Sequence, residues 1–175
     1  MYTFSPNTVI NSSKINANFA ELQAADAALS AIVGTGGAWT SWTPTITASG
    51  GGSPSIGNGT FACKYVRIGK IVICRFSITL GSTTSFGTGT VRFSIPVTSV
   101  SHTKCGVGTA YFEDLGVQAY LGMFELAAGA AGYVEISYAS TSASGRSAYI
   151  SGSIPQPFAW GNGDYITGTY MYEAA

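Results

Sequence analysis

Hydrophobic positions change their period once along this chain, at Gly34. Before it, Ile15, Phe19, Leu22, Leu29 and Val33 recur at steps of four, three, seven and four, the spacing of one helical face. Laid out as a heptad, Ile15, Leu22 and Leu29 fall at d and Phe19, Asp26 and Val33 at a, so Asp26 is the one break in the stripe. The g positions Asn18, Ala25 and Ile32 widen the apolar face toward its C-terminal half, and no e or g position carries charge. Two-stranded zippers choose partners through e/g salt bridges. This face suits three helices instead, or one helix lying on a larger scaffold, which includes the β region of its own chain. Ser12 or Ser13 is placed to cap the helix by accepting a backbone N–H, and Gly34, Gly36 and Gly37 stop it. A helix of about 21 residues spans roughly 30 Å and is marginal alone in water.

From Trp39 onward the period is two. Alternation predicts strands at 38–48, 60–68, 70–80, 90–96, 106–113, 117–126, 133–139, 147–154 and 164–172. The connections GGGSPSIGNG, GSTTSFGTG, AAGAAG and STSASGR are Gly-, Ala- and Ser-rich turns. Eight or nine short strands at this spacing call for a sandwich or jelly roll. No internal repeat of the length that builds a β-helix occurs. The expected fold is mainly β, a jelly-roll-like β-sandwich head carried on a short N-terminal α-helix that forms a trimeric stalk. Residues 1–12 form an extended segment, 13–34 the oligomerising helix and 35–175 the head. The long polar loops at 48–59 and 81–89 are expected at the ends of the sandwich, tolerant of change and well placed for binding.

Composition sharpens this picture. Charged residues are 9% of the chain, against about 25% in an ordinary soluble domain. Eight basic and eight acidic residues cancel without clustering along the sequence, which argues against nucleic acid as a ligand. A mean hydropathy of +0.26 with so little charge is tolerable if much surface is buried between subunits or kept soluble by hydroxyls. The first residues lack the basic and apolar regions of a secretion signal, and no apolar run is long enough for membrane insertion. Cys63 and Cys74 are expected to face each other across a hairpin centred on Ile68-Gly69, either bridged or as two buried thiols.

Three blocks of residues carry a resemblance. FSPNTVINSSKINANFAEL at 4–22, through Pro6, Thr8, Ile10, Ser12, Ile15, Asn16, Asn18 and Phe19, resembles the N-terminal segment of many bacteriophage tail-fibre and minor virion structural proteins. WTPTITASGG at 42–51 with YVRIGKIV at 65–72 is similar to the β head of small phage tail proteins. PFAWGNGDYITGTYMYEAA at 157–175 resembles their C-terminal strand, and its Gly163, Asp164 and Ile166 are also like the last strand of trimeric jelly rolls of the tumour-necrosis-factor and complement type. The resemblance implies a homotrimer in a virion, assembled in the bacterial host cytoplasm. Its N-terminus would be held by other virion proteins while the head points outward, on the tail or on the capsid. Tyr2, Phe4, Pro6, Val9 and Ile10 would be the anchoring residues, since extended apolar peptides add to sheet edges or fill grooves on partners.

Candidate chemistry is sparse, and the chain reads as no enzyme. His102, the only histidine, sits in the turn-like SVSHTKCG with Cys105 close by on the same loop, and no G-x-S-x-G elbow accompanies it. Glycosidases need two carboxylates at a set separation. The β region offers Glu113, Asp114, Glu125, Glu135, Asp164 and Glu173, none in a telling pattern. No metal-ligand spacing appears, and no cofactor is called for. Asp26 on a three-fold axis would either gather carboxylates around a cation or mark where helices diverge. Aromatic residues crowd the second half, mostly for core and interfaces; Tyr120 and Trp160 are the candidates for contact with a host surface glycan.

Overall fold

A computed structural model describes residues 11–33, 37–129, 132–139, 147–152 and 157–175. Tyr2, Phe4, Pro6, Val9 and Ile10 lie outside the described residues, as does the side chain of Val33. The chain falls into two compact units, one built on a helix and one on strands. The described residues are mainly β with one helix.

The helix, α1, is Ser12–Val33. Its seven alanines are strong helix formers and carry it through the weak Asn and Asp positions. The cap differs from expectation. Asn11, not Ser12 or Ser13, closes the first turn: its Oδ1 accepts the Lys14 N–H at 3.0 Å and the Ser13 hydroxyl at 2.8 Å. A carboxamide oxygen one residue earlier reaches the third helical N–H, the usual capping geometry. Ile15, Phe19, Leu22 and Leu29 are 39% to 60% exposed, so the stripe read from the sequence is apolar and uncovered within one chain.

The strands are β1 Thr40–Trp42, β2 Ile46–Ala48, β3 Thr60–Phe61, β4 Cys63–Ile68, β5 Ile71–Thr79 and β6 Val91–Ser94. Then come β7 Cys105–Asp114, β8 Gln118–Leu126, β9 Tyr133–Ala139, β10 Ser147–Tyr149 and β11 Tyr165–Glu173. Nine strands were expected, and eleven form among the described residues. The 38–48 segment is split because Pro44, which is buried, cannot donate to a ladder. The 60–68 segment breaks at Ala62. Cys105, expected on the loop with His102, is the first residue of β7.

All eleven strands belong to one antiparallel sheet of order β1-β4-β5-β11-β7-β8-β9-β6-β2, with β3 on β5 and β10 on β9. β11 lies near the middle, paired from Tyr165↔Thr79 to Glu173↔Ile71 on one side and from Tyr165↔Glu113 to Tyr170↔Gly108 on the other. The two ends of this order, β1 and β2, are consecutive in the chain and separated only by residues 43–45. Four residue steps reach at most about 14 Å, so the sheet curls until its ends nearly meet. Rings cross the interior accordingly. Phe76 of β5 lies 5.0 Å from Phe93 of β6 and 5.4 Å from Phe124 of β8, while Trp42 of β1 reaches Phe76 and Tyr170. The core is fully buried aromatic and β-branched side chains, among them Phe112, Ile78, Ile136 and Ile166.

Candidate binding site at the paired loops

The segments 48–59 and 81–89 are not free loops; they run beside one another and are stitched together. Gly50 and Thr88 donate to Thr88 and Gly51 carbonyls at 2.9 and 3.0 Å, and Ser55 and Ser85 exchange backbone bonds at 2.7 and 2.8 Å. Asn58 and Thr83 clamp each other. The Asn58 N–H donates to Thr83 Oγ1 at 2.9 Å, and the Asn58 Oδ1 accepts the Thr83 N–H at 3.0 Å and its hydroxyl at 2.9 Å. Gly57 has φ +58, and a Cβ there would strike the Thr83 side chain and backbone. The expectation that these loops tolerate change is therefore corrected. Gly57, Gly59, Gly81, Gly87 and Gly89 are required by close approach of a neighbouring strand of chain, which composition registers only as flexibility.

Beside this double loop opens a cleft of about 300 Å³, lined by Leu80, Gly81, Thr84, Phe86, Ser151 and Trp160 with Gly152, Ala159 and Gly161. Phe86 packs edge-on against Trp160 at 5.5 Å. Trp160 touches Phe158 at 4.3 Å, and Phe158 stacks on Tyr120 at 5.4 Å, which stacks on Phe112 at 5.8 Å. Of the two glycan-contact candidates, Trp160 is a wall of the cleft. Tyr120 is half-buried in the adjoining ring stack and is not part of the lining. The Trp160 Nε1 is buried and meets no acceptor among the described residues.

Asp164 holds this corner in place. It is 3% exposed; its carboxylate accepts the Leu115 N–H at 3.0 Å and the Gly161 N–H at 2.5 Å, while its carbonyl accepts from Leu80 at 2.8 Å. Sequence reading noticed Asp164 in a strand motif but missed that its carboxylate ties together the 161–164 turn and the β7–β8 turn. A Gly-Asp pair entering a strand is the signal that pointed there. Among the described residues no lining residue of the cleft is ionisable, and its rings and hydroxyls offer stacking and hydrogen bonding.

Glu113, Glu125 and Glu135 fall elsewhere. Glu125 and Glu135 are partners across β8 and β9. Arg92 lies 2.9 Å from Glu135, and Lys104 lies 3.3 Å from Glu125 and 3.7 Å from Glu135. Tyr149 donates to Glu125 at 2.8 Å, Ser137 also donates to Glu125, and Lys104 donates to Tyr149. Burial works to raise the Glu125 carboxyl, but bonds from Ser137, Tyr149 and Lys104 outweigh it and hold it below the ordinary range. Burial likewise opposes the charge on Lys104, yet Tyr149 and Glu125 push that ammonium up. Each charge is thus answered within the cluster, which makes it a brace across β8, β9 and β10. Glu113 accepts from Tyr165 and from Tyr111 at 3.0 Å, and these two bonds lower its carboxyl.

His102 Nδ1 lies 2.9 Å from the Thr103 carbonyl, which makes it the protonated nitrogen, and Nε2 meets no partner among the described residues. Among those residues no group of three or more His, Cys, Asp or Glu side chains is placed to hold a metal ion. No helix of the described chain is long and apolar enough to cross a membrane. No protein-family model, curated protein or solved structure matches this chain.

Proposed function

We propose that this chain is a structural protein of a bacteriophage virion: a homotrimeric tail fibre or spike, with a jelly-roll-type head that attaches to the host surface. The observation that carries the proposal is the helical row Ile15, Phe19, Leu22 and Leu29, apolar and left in solvent by a single chain. Such a row is stabilised when three copies bury it as a stalk. At the head, the Trp160 cleft supplies an aromatic wall with Thr84 and Ser151 hydroxyls beside it, the combination that stacks on and hydrogen-bonds a sugar ring. Three copies would present a weak site three times, so avidity replaces single-site strength. No cleavage is part of the proposal, since the cleft lacks an acid or base.

The test is competition. Soluble protein at saturation should block adsorption of the phage that carries it, Trp160→Ala should lose most of that block, and host polysaccharide should not be shortened. If saturating protein leaves adsorption unchanged, the second reading takes over, a capsid-attached head fibre or decoration protein without a receptor. The same uncovered helix favours that reading equally. Removal of residues 2–12 should strip the protein from particles in either case.

A further inference from the structure

Lys64 on β4 and Arg75 on β5 open onto one groove of about 290 Å³ on the strand unit, completed by Ala62, Ser77 and Thr167. Both cations are exposed, and among the described residues neither has a carboxylate partner. Among the described residues, the other cations on or beside the strands are answered differently. Lys70 pairs with Glu173 at 3.8 Å, Arg92 with Glu135 and Lys104 with Glu125, while Arg67 donates to the Gly69 carbonyl at 2.8 Å. Two like charges sharing a concavity on a sheet repel each other, a cost removed when an anion sits between them. Thr167 commits its hydroxyl to the Phe76 carbonyl at 3.1 Å, so the donors left to a ligand are the Lys64 ammonium, the Arg75 guanidinium and the Ser77 hydroxyl.

The framework holding these donors is rigid. Arg75 and Ser77 sit in register with Thr169 and Thr167 of β11, within a ladder of nine residue pairs, and Lys64 pairs with Ser41 of β1. A guanidinium offers a planar fork matched to two oxygens of a carboxylate, phosphate or sulfate, and an ammonium beside it adds a point charge. Along the chain the two cations are eleven positions apart and look unrelated; only the β4–β5 hairpin puts them on one groove.

We propose that this groove is an anion site which takes a carboxylate, phosphate or sulfate group carried on a cell-surface glycan. It shares no residue with the Trp160 cleft. Its anion chemistry stands without the attachment proposal, whereas the glycan as carrier rests on it.

The test uses the full chain and four probes at low salt: polygalacturonate, poly(glycerol phosphate), dextran sulfate and neutral dextran. At least one polyanion should bind, dextran should not, and added salt should weaken the binding. Whichever polyanion binds identifies the source of the oxyanion. Changing Lys64→Gln and Arg75→Gln together should weaken that binding about tenfold or more, the loss expected when charge-assisted bonds are removed. The variant's unfolding midpoint and its thiol reactivity should match the parent, which shows it is folded. Lys70→Gln removes an exposed cation outside the groove and should change nothing. The proposal is overturned if no polyanion binds, if the double variant binds as the parent does, or if Lys70→Gln weakens binding equally. Polyanion binding by a protein that fails to block adsorption would sink the attachment proposal and leave the anion site standing.

Discussion

Gly168 sits between Phe76 of β5 and Ala110 of β7, where a Cβ would meet the Thr109 carbonyl oxygen and lie 2.7 Å from the Phe124 ring. Backbone cannot give way as a flexible side chain can, so Gly168→Ala should destabilise the strand unit by about 1–3 kcal/mol or more. Gly132→Ala, with nothing near its Cβ position, should be close to neutral. Urea unfolding of the two variants checks this: the Gly168 midpoint should fall with little change in slope. Cysteines make a second prediction at this scale. Burial pushes the Cys63 thiol up to about 11 and the Cys74 thiol up to about 12, while Cys105 is exposed. At pH 8 an alkylating reagent should therefore modify one thiol per folded chain and three after unfolding, read by intact mass. That Cys63 and Cys74 remain free was one of two outcomes open from the sequence. The Cys63 thiol instead donates to the Ser77 carbonyl at 3.4 Å, a partner no spacing rule would name.

Elements were legible where their period was clean. β9 appears at the residues alternation marks, β5 and β11 within one, and α1 within one of its expected start. The errors share a cause: a turn or break imposed by contacts far away. Alternation carried one strand through Pro44, where the chain instead leaves one end of the sheet and joins the other. The Glu125 brace belongs to this scale too, joining β8, β9 and β10 to Lys104. Because the folded Glu125 carboxyl titrates below its ordinary value of about 4.3, its contribution is present above that value. It is lost as pH falls through the lower, folded value. Glu125→Gln should therefore lower stability at pH 7, and the gap between variant and parent should close as the pH drops below about 4. Thermal unfolding across pH 2–7 measures it; a gap that persists unchanged at pH 2 would remove the carboxylate's role.

At the scale of the molecule, the curled sheet and the uncovered helix make different demands. The sheet satisfies itself, with its aromatic core closed and its two end strands joined through residues 43–45. The helix leaves Phe19, Leu22 and Leu29 near 60% exposed, and its stability rests on covering them. Light scattering should accordingly give three times the chain mass of 18.0 kDa at micromolar concentration. Leu22→Glu, placing a charge at a d position, should shift the mass toward one chain while the β-strand circular dichroism stays unchanged. A clean single-chain mass for the parent would sink the trimer.

What this sequence determined by itself is local: a 3.6-residue period ending at Gly34, a two-residue period after it, and an apolar stripe broken at Asp26. Those follow from which side chains repeat on one face, and neighbours along the chain are enough to read them. Strand order, the stitching of 48–59 to 81–89, the pairing of Glu125 with Glu135 and the meeting of Lys64 with Arg75 were decided only by the tertiary structure. Each depends on which strands close against which, and that choice is made by packing Phe76, Phe93, Phe124 and Tyr170 into one interior, across separations of tens of residues that no local period encodes.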